Sequence, residues 1–331
     1  MSSTEINKPA ETDTRSEMTV GLTLLLEDIP APGSIPTGDM PGDKVVIGPD
    51  HIEKTQIIFP ELLELLVPAL DEHPHNRAVV VVCGGSGVGK SEVASVLSYY
   101  LNRMDIGSYI VSGDNYPHRI PRYNDAERLR IYRQSAIRGL IAHGQYNCER
   151  AAILKELQET GDDAKTGLQS RYPWLSLYQK EGRSGLKNYL GTPNEIDFDE
   201  LSDIISQFKN GASSIFLKRM GREETELWYE RVDFSGKKVL VIEWTHGNND
   251  NLQGVDIPIL LNSTPEETLA HRKARNRDGG TDSPFTTMVL EIEQALLISQ
   301  AEKAKLIVTK SGEIISHNEF IQIMVSRQED A

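Results

Sequence analysis

From Ala78 onward the chain alternates short, nearly continuous apolar runs with longer amphipathic stretches. The runs Ala78–Cys83, Ser108–Ser112, Lys238–Glu243, Asp256–Leu261 and Lys305–Thr309 are rich in β-branched residues. Strands covered on both faces of a parallel sheet carry this pattern, because neither face needs polar residues. Helical spacing fills Ser91–Met104, Asp125–His143, Pro265–Asn276 and Phe285–Ala304. The alternation predicts an α/β sandwich of three layers around a central parallel sheet. The gap from Gly113 to Gly236 is too long for one crossover, so it predicts an insert at the strand ends, where ligands are met in open sheets. Its expected extent is about residues 115–235 within a domain covering 78–331.

The first 77 residues read differently. Residues 1 to 17 are polar and predict disorder, and Val20–Glu27 has strand character. Ile29–Asp43 holds four prolines and three glycines and reads as a linker, which makes 1–47 a flexible or partly ordered segment. Residues 48–77 predict a helical lead-in from the apolar positions Ile52, Ile57, Ile58, Leu62, Leu63, Leu65, Leu66 and Leu70, interrupted at Pro60 and Pro68. Hydrophobic residues are 38% of the 331, enough for a real core. The net charge of −14 repels nucleic-acid backbones and argues against DNA or RNA as a partner. No apolar run approaches the ~20 residues that cross a bilayer, and the first residues lack a signal core, so a cytoplasmic protein without membrane contact is expected. Cys83 and Cys148 make no disulfide framework.

Chemistry enters at Gly84-Gly85-Ser86-Gly87-Val88-Gly89-Lys90-Ser91, a full match to the phosphate-binding loop G-x-x-x-x-G-K-[ST] between a predicted strand and helix. Backbone N–H groups and a helix N-terminus converge there on an anion. Lys90 is placed to neutralise β- and γ-phosphates, and the Ser91 hydroxyl to ligate Mg²⁺, which predicts ATP and Mg²⁺ as cofactors. A glycine-rich turn with a chance Lys-Ser explains the strand and helix in register poorly. A guanine-reading N-K-x-D is absent, since Asn7-Lys8 lacks its Asp, and so is L-S-G-G-Q.

Three further features suggest transfer of a phosphoryl group to a hydroxyl. Asp114, after the second run, is the candidate base for the attacking hydroxyl, although Gly-Asp-Asn is also a turn sequence. Glu243 at the tip of the third run is a candidate metal-ordering acid, the alternative being a solvated strand end. The stretch Ala270 to Gly280 predicts a lid in which Arg272 and Arg275 serve catalysis and Arg277 the nucleotide, against the plainer reading of a charged solvated face.

In this order the motifs resemble the uridine kinase and phosphoribulokinase family of P-loop kinases, over scattered segments from about Ala78 to Glu313. Ser112-Gly113-Asp114-Asn115-Tyr116-Pro117-His118-Arg119 is similar to that family's G-D-S-F-H-R, whose Asp is the base, and to the G-D-N of adenylylsulfate kinases. Pro193 to Asp199 is similar to H-P-D-A-F-D-F-D, Ile242 to Gly247 to V-E-G-x-H-G, and Leu269 to Asp278 to the arginine-rich lid. The resemblance implies an ATP-dependent, Mg²⁺-using enzyme with a small-molecule acceptor. Gly191 and Thr192 stand where uridine kinases have an Asp that contacts ribose and a His, which argues against uridine. The insert carries Tyr172, Trp174, Tyr178 and Tyr189 among basic residues, suited either to a sugar platform or to a local core. His118, Arg119, Arg122, Trp174 and Tyr178 are the expected acceptor residues. A fainter resemblance is to the sucrose kinase modules fused to bacterial α-galactosidases. The expectation is therefore a sugar kinase. An adenylylsulfate- or nucleoside-kinase-like enzyme and a non-catalytic nucleotide-dependent regulator are the alternatives.

Overall fold

The computed structural model describes residues 35–264, 267–270 and 283–329. The expected strand at Val20–Glu27 and the lid arginines Arg272, Arg275 and Arg277 lie outside them.

The five apolar runs form strands β1 (Ala78–Gly84), β2 (Ser108–Ser112), β5 (Val239–Glu243), β6 (Ile257–Leu261) and β7 (Leu306–Val308). They lie in the order β2-β5-β1-β6-β7, all parallel, and the short β8 (Ile314–Ile315) adds antiparallel to β7. The architecture is a three-layer α/β sandwich with a mostly parallel central sheet. Every residue of β1, β5 and β6 is buried, as their unbroken apolar sequences require.

On one face α1 (Pro49–Glu72) and α2 (Lys90–Arg103) cover Val80, Val82, Val241 and Ile259. On the other, α6 (Phe198–Lys209), the end of α7 (Pro284–Gln300) and α8 (His317–Glu329) cover Val79, Val81, Leu240 and Ile242. The insert supplies α3 (Pro121–Ala142), α4 (Cys148–Thr160) and α5 (Leu175–Lys187), which build a separate core with the first half of α7 around Tyr132, Leu140, Tyr178 and Ile292. It also supplies an antiparallel hairpin, β3 (Ser214–Met220) with β4 (Leu227–Asp233), that the apolar pattern does not announce.

Two expectations for the N-terminal part need correction. Helix α1 runs through Pro60 and Pro68 unbroken. Each proline removes one helical hydrogen bond, and the buried stripe Ile58, Phe59, Leu62, Leu66 and Leu70 outweighs that cost. The segment 35–43 is not a loose linker: Ile35 is in the core, and the Asp39 side chain is 7% exposed and ion-paired to Arg219.

Candidate active site

The phosphate loop leaves β1, and its last residue before α2, Gly89, sits at φ +95°, a left-handed conformation that favours glycine. α2 starts at Lys90 with its free N–H groups aimed back over the loop. Lys90 Nζ donates to Gly85 O at 3.1 Å, which folds the side chain over the loop it belongs to. β1 is central in the sheet, and the chain leaves β1 and its neighbour β5 in opposite directions, so their carboxyl ends border a crevice.

Glu243 ends β5 in that crevice. Its Oε2 accepts from Ser91 Oγ at 3.0 Å and its Oε1 from Ser112 Oγ at 2.5 Å. Burial pushes its carboxyl well above the usual range, the negative charge of Asp114 adds to this, and Lys90 and the two hydroxyls oppose it. A serine hydroxyl and a buried carboxylate beside a second acid are the oxygen donors that Mg²⁺ shares with phosphates and water, rather than an all-protein cage. The residues fit the ion: Ser91 and Glu243 would hold it, and there it would offset phosphate charge.

Asp114 follows β2 in a short helical turn, Gly113–Asn115. A Cβ on Gly113 would fall 2.0 Å from the Trp244 ring, so only glycine lets the turn lie this close to the end of β5. Beyond Asp114 the chain pairs with the segment before α6. Pro117 bridges Ile196, His118 N–H donates to Glu195 O at 2.9 Å, and Asp197 N–H donates to Tyr116 O at 2.9 Å. Ser91 and Glu243 are thus in direct contact, and Asp114 lines, together with Ser86 of the phosphate loop, a cleft of about 730 Å³.

The cleft continues between the insert and α7. Its polar wall holds Asn124 and Arg128 from α3, Glu195, His246 and Glu293, and its apolar wall holds Trp244 and Phe285. Glu195 accepts from Asn124 Nδ2 at 2.9 Å, Arg128 Nε at 2.6 Å and Gly191 N at 2.6 Å. Burial raises its carboxyl, but Arg128, His246 and the Gly191 N–H overcome this and leave it below the ordinary value. Burial drives His246 down to about 4 against the pull of Glu195, so its ring is neutral at pH 7. Asn124 Oδ1 is buried and has no hydrogen-bond partner among the described residues, which suits a ligand O–H donor.

This wall explains one departure noted in the sequence. Gly191 has φ +70° and a Cβ there would fall 3.0 Å from the His246 ring, so a side chain is strained and tightly packed at this position. A carboxylate reaches the turn nonetheless, from Glu195, which stands where the similar family motif has Ala.

Of the expected acceptor residues, Arg122 lines the cleft. His118 is turned to Pro193 O at 2.9 Å, and Arg119 donates to Tyr189 OH at 3.0 Å. Tyr178 and Trp174 belong to the insert's own core, not to the cleft. The Tyr178 hydroxyl is engaged by Asp163 Oδ2 and Gln158 Nε2, each at 3.0 Å, and Trp174 packs beside Tyr172 and under Arg150. Trp174→Ala is therefore expected to lower the melting temperature while leaving acceptor KM unchanged, with thermal denaturation and initial rates as the paired measurements. Asn124, Arg128, Glu195, His246 and Glu293 were not singled out in the sequence because, apart from the pair on α3, they lie on separate elements. Two of them had a signal: His246 matches the His of V-E-G-x-H-G, and Glu195 lies in the segment similar to H-P-D-A-F-D-F-D.

A curated relative matches most of this chain. The chain is 38% identical over 271 residues to the bifunctional alpha-galactosidase/sucrose kinase AgaSK of Mediterraneibacter gnavus. The match covers 80% of this chain and 24% of that protein, so the chain spans about a quarter of the relative's length. This bears out the resemblance to sucrose kinase modules. Among solved structures, D-glycerate 3-kinase of Cryptococcus neoformans is similar with a TM-score of 0.44 and 12% identity, over 78% of this chain and 98% of its own. A Bacillus stearothermophilus protein described as a possible uridine kinase is similar with a TM-score of 0.40 and 13% identity, over 75% and 98%. No family model matches the chain. No helix among the described residues is long and apolar enough to cross a membrane.

Proposed function

We propose that the chain is an ATP-dependent kinase that transfers the γ-phosphate to a hydroxyl of a sugar, with sucrose the first candidate. The observation that carries this reading is the contact of the phosphate loop with an acid, Ser91 on Glu243, beside a cleft that Ser86 and Asp114 line and that has room for a second ligand. A nucleotide switch has no use for a carboxylate in front of the phosphates or for a polar cavity beyond it. The relative's sucrose kinase name directs the choice of acceptor.

In this mechanism the loop amides and Lys90 hold the triphosphate and offset its charge. Ser91 and Glu243 would hold a Mg²⁺ ion, which would supply further charge neutralisation. The acceptor hydroxyl lies in the cleft with Asp114 within reach, and Asp114 takes its proton as the oxygen–phosphorus bond forms. The proton leaves the acceptor oxygen for the carboxylate, and the broken bond leaves ADP. The buried amide, guanidinium and carboxylate of Asn124, Arg128 and Glu195 offer both donors and acceptors to sugar hydroxyls, and the half-buried Phe285 offers ring surface.

The test is a coupled ADP-release assay with ATP and Mg²⁺ over sucrose, fructose, glucose, polyols, uridine and adenylylsulfate, with mass analysis of the product. Phosphorylation of a sugar supports the proposal. Turnover confined to uridine or adenylylsulfate overturns it, as does nucleotide binding with no turnover on any acceptor. Asn124→Ala removes the unpaired buried acceptor and leaves Glu195 still bonded to Arg128 and Gly191. One neutral hydrogen bond is worth about 1 kcal/mol, so sugar KM is expected to rise about fivefold with ATP affinity unchanged, as read by initial rates and calorimetry.

A further inference from the structure

The segment before α1 is fixed into the site by a polar network that its sequence does not suggest. Its backbone passes Gly38 close enough to the sheet that a Cβ there would lie 3.6 Å from Ile110 Cγ2 and 3.8 Å from Glu243 Oε1. Asp39 follows. Its Oδ1 accepts from the Ser112 backbone N–H at 2.8 Å and from Asn115 Nδ2 at 3.2 Å. Its Oδ2 accepts from Arg219 Nη1 at 2.8 Å and from Tyr109 OH at 3.4 Å. Arg219, on β3, also donates to Tyr109 OH at 2.9 Å and to Glu230 Oε2 at 3.1 Å, and Asn115 Oδ1 accepts from Met220 N–H at 3.0 Å. The Arg219 and Asp39 side chains are 4% and 7% exposed. The next residues, Met40, Pro41 and Asp43, line the same cleft as Asp114.

Ser112 and Asn115 flank the Gly113-Asp114 pair, so one carboxyl oxygen grips the chain on both sides of the candidate base. The other oxygen ties that grip to β2 and to the insert's hairpin. A buried ion pair is a poor way to add stability, because desolvating both charges consumes most of the Coulomb gain. If the segment only needed fastening, Ile35 in the core would do it. What the network adds is direction: four donors on three separate stretches meet one carboxylate, and the loop that carries Asp114 has one place to be.

We propose that the strap 35–43 is a fixed wall of the acceptor site and that Asp39 is a positioning residue that holds Asp114 on the attacking hydroxyl. This rests on the kinase reading above and extends the site to a part of the chain with no counterpart among the motifs. Asp39 touches neither the phosphates nor the acceptor; it acts through the Ser112–Asn115 turn, while Met40, Pro41 and Asp43 narrow the cleft opposite α7.

The test is a double-mutant cycle of Asp39→Ala and Asp114→Asn, with sucrose as the probe acceptor, joined to hydrogen exchange on the same full-length proteins. Misplacing a base costs rate rather than nucleotide binding, so Asp39→Ala is expected to lower kcat by about tenfold or more with ATP affinity unchanged. Because it acts through Asp114, the double variant is expected to match Asp114→Asn alone. Amides 112–116 should exchange faster in Asp39→Ala, and amides 85–91 of the phosphate loop should not. An unchanged kcat, or single effects that multiply in the double variant, would overturn the positioning role. Wild-type protection at 112–116 would overturn the anchor whatever the acceptor. If the unmodified chain transfers nothing to sucrose, the sucrose assignment fails, and the exchange comparison still decides the anchor. Should Asp39→Ala fail to fold, Asp39→Asn keeps the size and the Ser112 contact while removing the charge that faces Arg219, and the same comparisons apply.

Discussion

Asp114→Asn is expected to lower kcat for acceptor phosphorylation by about 10² to 10⁴-fold, the usual contribution of a positioned general base. A sugar hydroxyl is a poor nucleophile and must lose its proton as the bond to phosphorus forms. Asn preserves the size of the side chain and its place in the turn that packs on Trp244, but it cannot take the proton. The substitution has a second, opposite consequence nearby. Asp114 helps push the Glu243 carboxyl up, so removing its charge leaves Glu243 easier to ionise. ATP and Mg²⁺ binding should therefore be retained or improve, while turnover falls. Rapid-mix kinetics on the acceptor and calorimetry on the nucleotide separate the two. A decrease in kcat smaller than about threefold, well under the range for such a base, would leave Asp114 as a turn residue and place the base elsewhere.

The parts of this molecule that could be read from the chain are those in which local sequence and burial say the same thing. Ala78–Gly84 and Val239–Glu243 are apolar at every position but the last because both faces of the sheet are covered, and no other environment explains them as well. The glycine-rich loop is equally transparent, since its glycines, lysine and serine complete one phosphate-binding pattern within eight residues. The opposite holds for the acceptor cleft. Asn124, Glu195, His246 and Glu293 come from distant positions and meet because the segment Tyr116–His118 pairs with 195–197 and α7 packs on the insert. Trp174 and Tyr178 illustrate the converse. Aromatic residues among charges look alike in sequence whether they stack on a ligand or fill a small core, and the packing of α3 on α5 decides for the core. The strap is a third kind of failure. Proline and glycine do mark a chain without helix or strand at 35–43, but Asp39 meets Arg219 across 180 positions, and that contact is invisible to any local pattern.

Lys90→Ala is expected to remove most phosphoryl transfer, with a loss exceeding tenfold, or over about 1.4 kcal/mol of barrier. Charge builds on the bridging and terminal phosphate oxygens as the γ-group moves, and the ammonium is the loop's own point charge against it. Lys90 is held for this role, half-buried and hydrogen-bonded to Gly85 O at 3.1 Å, so little reorganisation is needed when a triphosphate replaces that carbonyl as partner. Its loss also reaches the metal-holding acid. Lys90 is the positive charge that lowers the Glu243 carboxyl, and without it burial and Asp114 are opposed only by the Ser112 and Ser91 hydroxyls. Glu243 would then hold its proton to higher pH, so the defect should be larger at pH 6 than at pH 8. Lys90→Arg restores charge but not shape, because a planar guanidinium does not occupy the place of a compact ammonium inside the loop. Partial recovery with Arg at pH 8, none with Ala, and a pH slope steeper in Ala than in the unmodified protein are the three readings that identify both roles. Equal turnover in Lys90→Ala and the unmodified chain would remove the phosphate loop from the reaction altogether.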